Sequence, residues 1–322
     1  MIQTHPGIEY RRIINRRKNI GVAPRTPQSL FPDHQTPILS LIGRTPLIHL
    51  NRVAAGLPST VGLYVKLEGF NPGGSVKDRA GLFIVRKALH TGALSGKTLL
   101  DATSGNTGIA YAMLGAVLGF PVELTLPADV TPERIHILRA YGARLIFTDP
   151  AEGTDGARRL AQEMAAAYPE RYFYADQYDN PANPLAHYTT TGPEIWQQTD
   201  GRITHFVAGM GTTGTMMGVG RYLRERKPDV QLVGVQPDGS QKGIDGLKHL
   251  LTTTPPAIYD PTLVNRLIIA DAEEAQEMAR RLAREEGLFV GLSAGAAVVA
   301  ALRVAGELER GVVVALLPDG GF

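Results

Sequence analysis

Beyond Pro37, short apolar runs alternate with longer amphipathic windows along the chain. Most runs are continuous and rich in Val, Ile, Leu and Phe, the pattern of parallel strands that are buried on both faces. The predicted strands are Leu63–Glu68, Thr98–Ala102, Pro121–Leu126, Ala143–Thr148, Tyr172–Asp176, His205–Ala208, Gln231–Gln236 and Val312–Leu317. Because strands and helices alternate, the chain is predicted to form βαβ units and a doubly wound sheet of the α/β class.

Two of the helical windows carry clear boundary signals. The window Asp271–Glu286 begins with an N-cap aspartate, has Glu274 at the capping-box position and is followed by Gly287. A second window, Gly153–Tyr168, ends at a proline. Both are therefore predicted to be helices that stop at these residues.

Residues 1 to 36 lack apolar periodicity and contain several prolines and basic residues. We interpret them as an N-terminal extension that drapes over the body of the protein or over a partner subunit. The alternative is a partly disordered tail, and the sequence leaves both open. No apolar region follows the arginines, so we expect no signal peptide.

Composition narrows the class of protein. A chain of 322 residues suits one or two subdomains, and 43% hydrophobic with 20% charged residues is ordinary for a globular protein. The net charge of +2 argues neither for nor against nucleic acid, but no clustered basic stripe with interleaved aromatic residues occurs beyond the N-terminus, so we expect no nucleic-acid partner. With no cysteine, disulfides and thiolate chemistry are excluded. The apolar runs are too short to span a membrane, and we expect a cytoplasmic protein.

Several glycine-rich segments follow predicted strands, the position at which open α/β sheets bind ligands. They are Gly69–Ser75, Ser104–Gly108, Gly209–Thr215, Gly291–Gly295 and Pro318–Gly321. The convergence of several such loops indicates a ligand site more strongly than any one loop does.

Lys77 lies where the first of these loops passes into a predicted helix. A helix N-terminus disfavours an ammonium group, and a lysine that forms an imine must spend time uncharged. The position therefore points to Schiff-base chemistry. On spacing alone, however, a surface lysine paired with Asp78 is the favoured interpretation.

Two further loops carry groups suited to an anion. In Gly209–Thr215, small residues and threonine hydroxyls at a helix start are suited to bind a phosphate, although the spacing is not that of a Walker loop. In Ser104–Gly108, backbone N–H groups and hydroxyls are suited to bind a carboxylate. Ser293 is placed to face a ring nitrogen. Each loop could instead be a capped turn without a ligand.

Five motifs occur in the same order as in the cysteine synthases, a family of fold-type II pyridoxal 5'-phosphate (PLP) enzymes. They are NPGGSVKDR, TSGNTG, GMGTTGT, the stretch Asp179–Glu194 and GLSAG. The resemblance covers about residues 37 to 322. It implies two doubly wound α/β subdomains with the active site between them. The large PLP-binding subdomain is expected at 37–80 and 184–322, and a small mobile substrate-binding subdomain at 81–183.

The resemblance also implies roles for single residues. Lys77 resembles the lysine that holds PLP through an imine and then acts as the general base. Asn106 resembles the partner of the cofactor's 3'-oxygen, and Ser293 that of the pyridine nitrogen. The residues that resemble the phosphate cradle are Gly211, Thr212, Thr213, Gly214 and Thr215. Those that resemble the contacts of the substrate α-carboxylate are Thr103, Ser104, Gly105, Thr107 and Gln177.

The implied reaction is β-elimination of an activated serine to an aminoacrylate, followed by addition of a sulfur nucleophile to give L-cysteine. The activated serine is O-acetylserine or O-phosphoserine, and the nucleophile is sulfide or a carrier-protein thiocarboxylate. Thr213 replaces a glycine that many family loops have. The resulting loop sequence resembles that of the B-type, O-phosphoserine-using cysteine synthases. The sequence stops at Phe322, whereas family members often continue with a longer tail, so such a tail is either absent or not included in this sequence.

Three cations are candidates for binding a phosphate leaving group: Lys242, Lys248 and Arg221. Lys248 lies near the place where phosphoserine-type relatives carry an arginine. For any one of them, an exposed side chain without a role is the favoured interpretation.

Two other functions stay open from the sequence. The nearer is a cystathionine β-synthase-type β-replacement with serine and homocysteine. The other, a non-catalytic scaffold, predicts a missing lysine or a damaged phosphate loop, and the sequence has neither. The family also implies a homodimer, with a sulfur-carrier protein or serine acetyltransferase as possible partners.

Overall fold

The computed structural model describes residues 36–103, 105–239, 243–250 and 252–321. Predictions for residues 1–35, Ser104, Lys242 and Phe322 lie outside the described residues. The strands in chain order are β1 Leu47–His49, β2 Val61–Leu67, β3 Thr98–Ala102, β4 Val122–Pro127, β5 Arg144–Thr148, β6 Tyr172–Tyr174, β7 His205–Gly209, β8 Gln231–Pro237, β9 Arg266–Ala270 and β10 Gly311–Leu317.

These strands form two sheets. One has the order β1-β2-β10-β7-β8-β9, and the other has the order β5-β4-β3-β6. Every pairing is parallel except β1 with β2, which is antiparallel. The non-consecutive neighbours require crossover connections, and the predicted α/β fold with doubly wound sheets is confirmed.

All eight predicted strands are present, with shifts of one or two residues at their ends. Strands β1 and β9 were not predicted from the sequence. Both lie at an edge of the larger sheet, where one side of the strand has no neighbour to bury it. Leu267 and Ile269 of β9 are exposed. The strand nevertheless contains a continuous apolar run at residues 267–270, so its sequence did carry a strand signal, whereas β1 has only three residues.

Helices connect the strands and cover both sheets. They are α1 Lys77–His90, α2 Asn106–Leu118, α3 Pro132–Ala140, α4 Gly153–Ala167, α5 Ala182–Ala186, α6 Gly192–Gln198, α7 Gly214–Arg226, α8 Ala272–Glu286 and α9 Leu292–Gly306. Short 3-10 turns span Pro37–Leu41, Glu68–Phe70, Pro150–Glu152 and Pro261–Leu263, and a π-helical turn spans His187–Thr191.

The cap signals predicted for α8 are confirmed. The Asp271 side chain accepts hydrogen bonds from the backbone N–H groups of Glu273 at 2.8 Å and Glu274 at 2.9 Å. Gly287 ends the helix with φ of 71°, the left-handed conformation that glycine adopts without a steric penalty.

Each sheet has its own apolar core. The larger sheet packs α8 and α9 against one face, with Val298 and Val313 in that core, and packs α7 against the other. The smaller sheet packs against α1 and α2, with Tyr111 and Leu124 fully buried between them. Separate cores fit the expected pair of subdomains, but the residue boundaries of that division stay a prediction.

In the part of the chain that the structure describes, no helix has both the length and the apolar character needed to cross a bilayer.

Candidate active site

A cavity of about 490 Å³ lies where the strands of both sheets end. Apart from the candidate cation Arg221, every predicted site residue that the structure describes lines this cavity. These are Lys77, Thr103, Gly105, Asn106, Thr107, Gln177, Gly211, Thr212, Thr213, Gly214, Thr215, Lys248 and Ser293. The fold thus brings together loops that are far apart in the chain, as parallel strands do at their carboxyl ends.

Lys77 is the first residue of α1 and is partly buried at the cavity wall. Burial lowers the pKa of its ammonium group, while the negative charge of Asp319 acts in the opposite direction. The helix N-terminus adds a positive partial charge that disfavours the ammonium. A larger fraction of Lys77 is therefore in the uncharged amine form than in an exposed lysine at the same pH.

A buried ion network holds the helix that carries Lys77. The Arg79 guanidinium donates to Glu68 at 2.7 and 2.8 Å and to Glu194 at 2.6 and 2.7 Å. Lys66 donates to Glu194 at 2.7 Å. Burial raises the pKa of Glu194, but the hydrogen bonds and charge of Arg79 outweigh it and bring the pKa to about 2. The network joins α1 to β2 and α6.

The loop before α7 has the features of an anion site. Thr213 has φ of 66°, a left-handed conformation that is costly for a threonine. Its hydroxyl oxygen is buried and has no hydrogen-bond partner within the described residues. A Cβ on Gly211 would overlap the carbonyl oxygen of Gly246. The loop therefore presents an unpaired hydroxyl and the N–H groups of a helix start to the cavity.

Asn183 connects this loop to the opposite wall of the cavity. Its side-chain amide donates to the backbone oxygen of Gln177 at 2.8 Å and to the hydroxyl of Thr212 at 3.0 Å. On that wall, the Thr107 hydroxyl donates to the Gln177 side-chain oxygen at 2.6 Å. The predicted phosphate loop and the predicted carboxylate contacts are thus held in one hydrogen-bonded chain.

Asp101 holds the backbone next to the residues that are predicted to contact the substrate carboxylate. Its carboxylate accepts from the backbone N–H groups of Ala102 at 2.8 Å and Gln177 at 3.3 Å. Burial raises the pKa of Asp101 to about 7, and these hydrogen bonds limit the increase. Asp101 therefore fixes the backbone at the ends of β3 and β6.

His187 lies behind the predicted phosphate loop and is fully buried. Its ring nitrogens lie 2.9 Å from the Thr191 hydroxyl and 3.4 Å from the Thr215 hydroxyl. Burial, together with the charge of Arg79, lowers the pKa of His187 to about 3. The ring is therefore neutral near pH 7 and orients Thr215 without adding a charge.

The predicted phosphate-binding cations differ in position. The Lys248 ammonium lies 4.2 Å from the centroid of the Tyr178 ring, and both residues line the cavity. Arg221 lies on α7 and is not among the cavity-lining residues of the described part. Arg134 and Asp245 form an ion pair of 3.4 Å at the cavity wall. Of the two predicted cations that lie in the described part of the chain, Lys248 lines this cavity and Arg221 does not.

Several supporting residues were missed as site residues, although some had a sequence signal. Asn183 lies in the quoted stretch Asp179–Glu194, and Asp319 lies in the glycine-rich segment after β10. His187 lies in the same stretch, but nothing in the sequence marked it as a supporting residue. Asp101 had no such signal, because it acts through its neighbours and is recognisable only by what it contacts.

Comparison with known proteins shows the family. Residues 38–319 match the family described as pyridoxal-phosphate dependent enzyme. A cysteine synthase of Aquifex aeolicus (strain VF5) is 52% identical over 290 residues, covering 88% of this chain and 89% of that protein. A cysteine synthase B of Pseudomonas aeruginosa is 49% identical over 286 residues, covering 88% of this chain and 94% of that protein.

Solved structures agree with the sequence comparison. A cysteine synthase from Entamoeba histolytica superimposes with a TM-score of 0.84 at 36% identity, covering 94% of this chain and 91% of that chain. An O-acetylserine dependent cystathionine β-synthase from Helicobacter pylori superimposes with a TM-score of 0.80 at 36% identity, covering 88% of this chain and 95% of that chain. The chain belongs to the pyridoxal-phosphate dependent enzyme family, and its expected fold-type II architecture is confirmed.

The residues present fit this cofactor. The cavity volume suits a small molecule, and Lys77 at its wall is a desolvated amine. The buried, unpaired hydroxyl of Thr213 and the N–H groups at the start of α7 suit a phosphate group. The protein is therefore a PLP enzyme by family and by the chemistry of its cavity.

Proposed function

We propose that this protein is a PLP-dependent cysteine synthase that replaces the β-substituent of an activated serine with sulfur. The observation that carries the proposal is the single cavity shared by a desolvated lysine, an anion loop and a set of carboxylate contacts. The cysteine synthase relatives at 52% and 49% identity support the same reaction.

Each group in the cavity has a part in this proposal. Lys77 would hold the cofactor, and its uncharged amine is suited to accept the α-proton of the substrate. Gly211 to Thr215 would hold the phosphate, and the Thr213 hydroxyl, which has no hydrogen-bond partner in the described residues, would donate to it. Asn106 and Ser293 would contact the ring. Bound PLP supplies an electron sink for the bond that breaks at the α-carbon.

The substrate carboxylate would bind at the other wall. Gly105 is the residue before α2, and the free backbone N–H groups at the start of this helix can donate hydrogen bonds to a carboxylate. Thr107 is held by Gln177, which in turn is held by Asp101 and Asn183. Ser104, outside the described residues, completes the predicted set. Groups that are already oriented lose little entropy on binding, which favours a fixed substrate pose.

The test is to titrate the purified, PLP-loaded protein with O-acetylserine and with O-phosphoserine. We expect one or both to change the visible absorption of the cofactor and, with sulfide, to yield cysteine. Lys77→Ala should abolish cysteine formation, whereas Lys87→Ala, an exposed lysine on the same helix, should leave it unchanged. If neither donor changes the absorption of the wild-type protein, the proposal is wrong.

A second candidate is a cystathionine β-synthase-type replacement with a thiol nucleophile. It is favoured by the 36% identical structure whose protein is an O-acetylserine dependent cystathionine β-synthase. Supplying sulfide and homocysteine in competition separates the two, because the ratio of cysteine to cystathionine reports the preferred nucleophile.

The donor, partners and compartment belong to this proposal as well. Lys248 at the cavity wall supports a phosphate leaving group, since it is a cation held near the site by Tyr178. We further propose a cytoplasmic homodimer, with a sulfur-carrier protein or serine acetyltransferase as partner, as the family resemblance implies. Light scattering of the purified protein would test the dimer.

A further inference from the structure

Asp319 lies at the junction of two loops that carry predicted cofactor contacts. It follows β10, and its backbone forms an isolated β-bridge with Ser75, two residues before Lys77. The Val76 N–H donates to the Pro318 carbonyl at 2.8 Å. The next residue, Gly320, bridges to Val290, just before the turn that leads to Ser293. The backbone around Asp319 is thus fixed on both sides.

The carboxylate of Asp319 has one partner and one free oxygen. Oδ2 accepts a hydrogen bond from Asn106 Nδ2 at 2.7 Å. Oδ1 is buried without a hydrogen-bond partner in the described part of the chain. A Cβ on Gly291 would overlap this oxygen, so the glycine leaves the space that the carboxylate occupies. Asp319 lines the cavity, as do Lys77 and Asn106.

This contact determines which way the Asn106 amide faces. A carboxylate only accepts hydrogen bonds, whereas an asparagine side chain has an accepting oxygen and a donating amino group. With Asp319 ionised, the amino group must face it, and a flipped amide would set two acceptors against each other. One amino hydrogen is used by Asp319, and the second is left for an acceptor in the cavity.

Asp319 also places a negative charge near Lys77. The two charges attract each other, and burial weakens the solvent screening between them. Loss of the carboxylate would leave Lys77 with its burial and the helix N-terminus, both of which favour the uncharged amine.

We propose that Asp319 is a positioning residue that orients the Asn106 amide toward the cofactor and supplies the counter-charge of Lys77. The inference deepens the proposed function, on which its cofactor part rests, and adds a residue to the proposed contacts. Asp319 acts through its two neighbours and takes no part in bond making.

The first test uses the apoprotein and therefore does not depend on cofactor chemistry. The pH dependence of Lys77 acetylation, followed by competitive labelling and mass spectrometry, reports the pKa of its amine. Asp319→Asn keeps the shape and removes the charge, so we expect Lys77 to be labelled at least about threefold faster near pH 8. Asp229→Asn, an exposed aspartate in a turn, should change nothing.

The second test is a double-mutant cycle on the PLP dissociation constant with Asp319→Asn and Asn106→Ala. If Asp319 acts through the Asn106 amide, its replacement changes the dissociation constant at least about fivefold more in the presence of Asn106 than in its absence. Additive effects would overturn the proposal, as would an unchanged labelling rate of Lys77.

Failure of the proposed function is distinguishable from failure of this inference. If the wild-type protein binds no PLP, the proposed function is wrong, whereas the labelling experiment still tests the counter-charge. Thermal unfolding of each apoprotein shows whether it is folded. If Asp319→Asn does not fold, Asp319→Ser, which also removes the charge, takes its place in both experiments.

Discussion

Replacing Arg79 with methionine tests the buried ion network beneath Lys77. The Arg79 side chain is 1% exposed, and it makes two hydrogen bonds each to Glu68 and Glu194. Methionine has a similar length but no charge, so the substitution leaves both carboxylates without their main partner. Glu194 keeps Lys66 at 2.7 Å. Glu68, which is fully buried, keeps only hydrogen bonds from neutral groups such as Thr45 at 2.7 Å.

The expected cost follows from the stranded Glu68 charge. Removing one partner of a buried pair destabilises a protein by about 3–5 kcal/mol, a large share of a typical total of about 5–15 kcal/mol. Removing both charges in Arg79→Met/Glu68→Gln should recover most of the loss, because an amide can stay buried with the hydrogen bonds of Thr45. The double variant should therefore cost much less than the sum of the single variants.

The assay is urea unfolding of the apoprotein, followed by circular dichroism. Arg280→Met is a matched control, since this arginine is 53% exposed and pairs with Glu277 at 3.4 Å. It should cost less than about 1 kcal/mol. A loss below about 1 kcal/mol for Arg79→Met, or additive single and double variants, would refute the reasoning.

The pH dependence gives an independent check on the same variant. Burial raises the pKa of Glu68, but Arg79 outweighs it and lowers the pKa below the ordinary 4.5. The ion pair therefore stabilises the fold above that pH, and its contribution is lost as the pH falls through the lowered pKa of the folded state. We expect the difference between wild type and Arg79→Met to shrink on acidification.

Three further predictions concern the cavity. Lys248→Ala should reduce kcat/KM for O-phosphoserine by about tenfold and for O-acetylserine by much less, because only the former loses a charge-assisted hydrogen bond. Gly211→Ala should weaken PLP binding by about tenfold or more in an equilibrium titration, since its methyl group would overlap the Gly246 carbonyl. Gly306→Ala, with open space around its Cβ position, is the control. His187, whose pKa falls from 6.5 to about 3 on burial, must stay neutral in the folded state. The unfolded chain takes up the proton, so stability is lost as the pH falls below the unfolded pKa, by about 2 kcal/mol at about pH 5, and His187→Asn should lack this loss in urea unfolding.

Each of these predictions has an outcome that contradicts it. Equal losses for both donors would remove Lys248 from phosphate recognition. A PLP affinity of the Gly211 variant that matches the Gly306 variant would mean that the loop has room for a methyl group. Parallel pH profiles for wild type and the His187 variant would show that the buried imidazole is not the source of the pH dependence.

Much of the fold was predictable because its signals are local. Parallel strands that are buried on both faces are recognisable as short apolar runs. The two ends of α8 are marked by its N-cap Asp271 and by Gly287. The edge strand β1 was missed because it has only three residues, whereas β9 was missed although residues 267–270 form a continuous apolar run. Their pairing depends on where the central strands lie.

The site shows the same division more sharply. Lys77 and the glycine loops could be identified from residue type, loop position and the order of motifs. Their distances could not, because Asn106 and Asp319 are 213 residues apart in the chain yet form a hydrogen bond. The same holds for Arg79 and Glu194, which are 115 residues apart. The residue pattern of the chain thus specifies the elements, the loops and the chemical class, since these depend on near neighbours. Sheet order and packing specify the charge partners, the burial that lowers the pKa of Lys77, and supporting residues such as Asp319, since these depend on contacts across the whole fold.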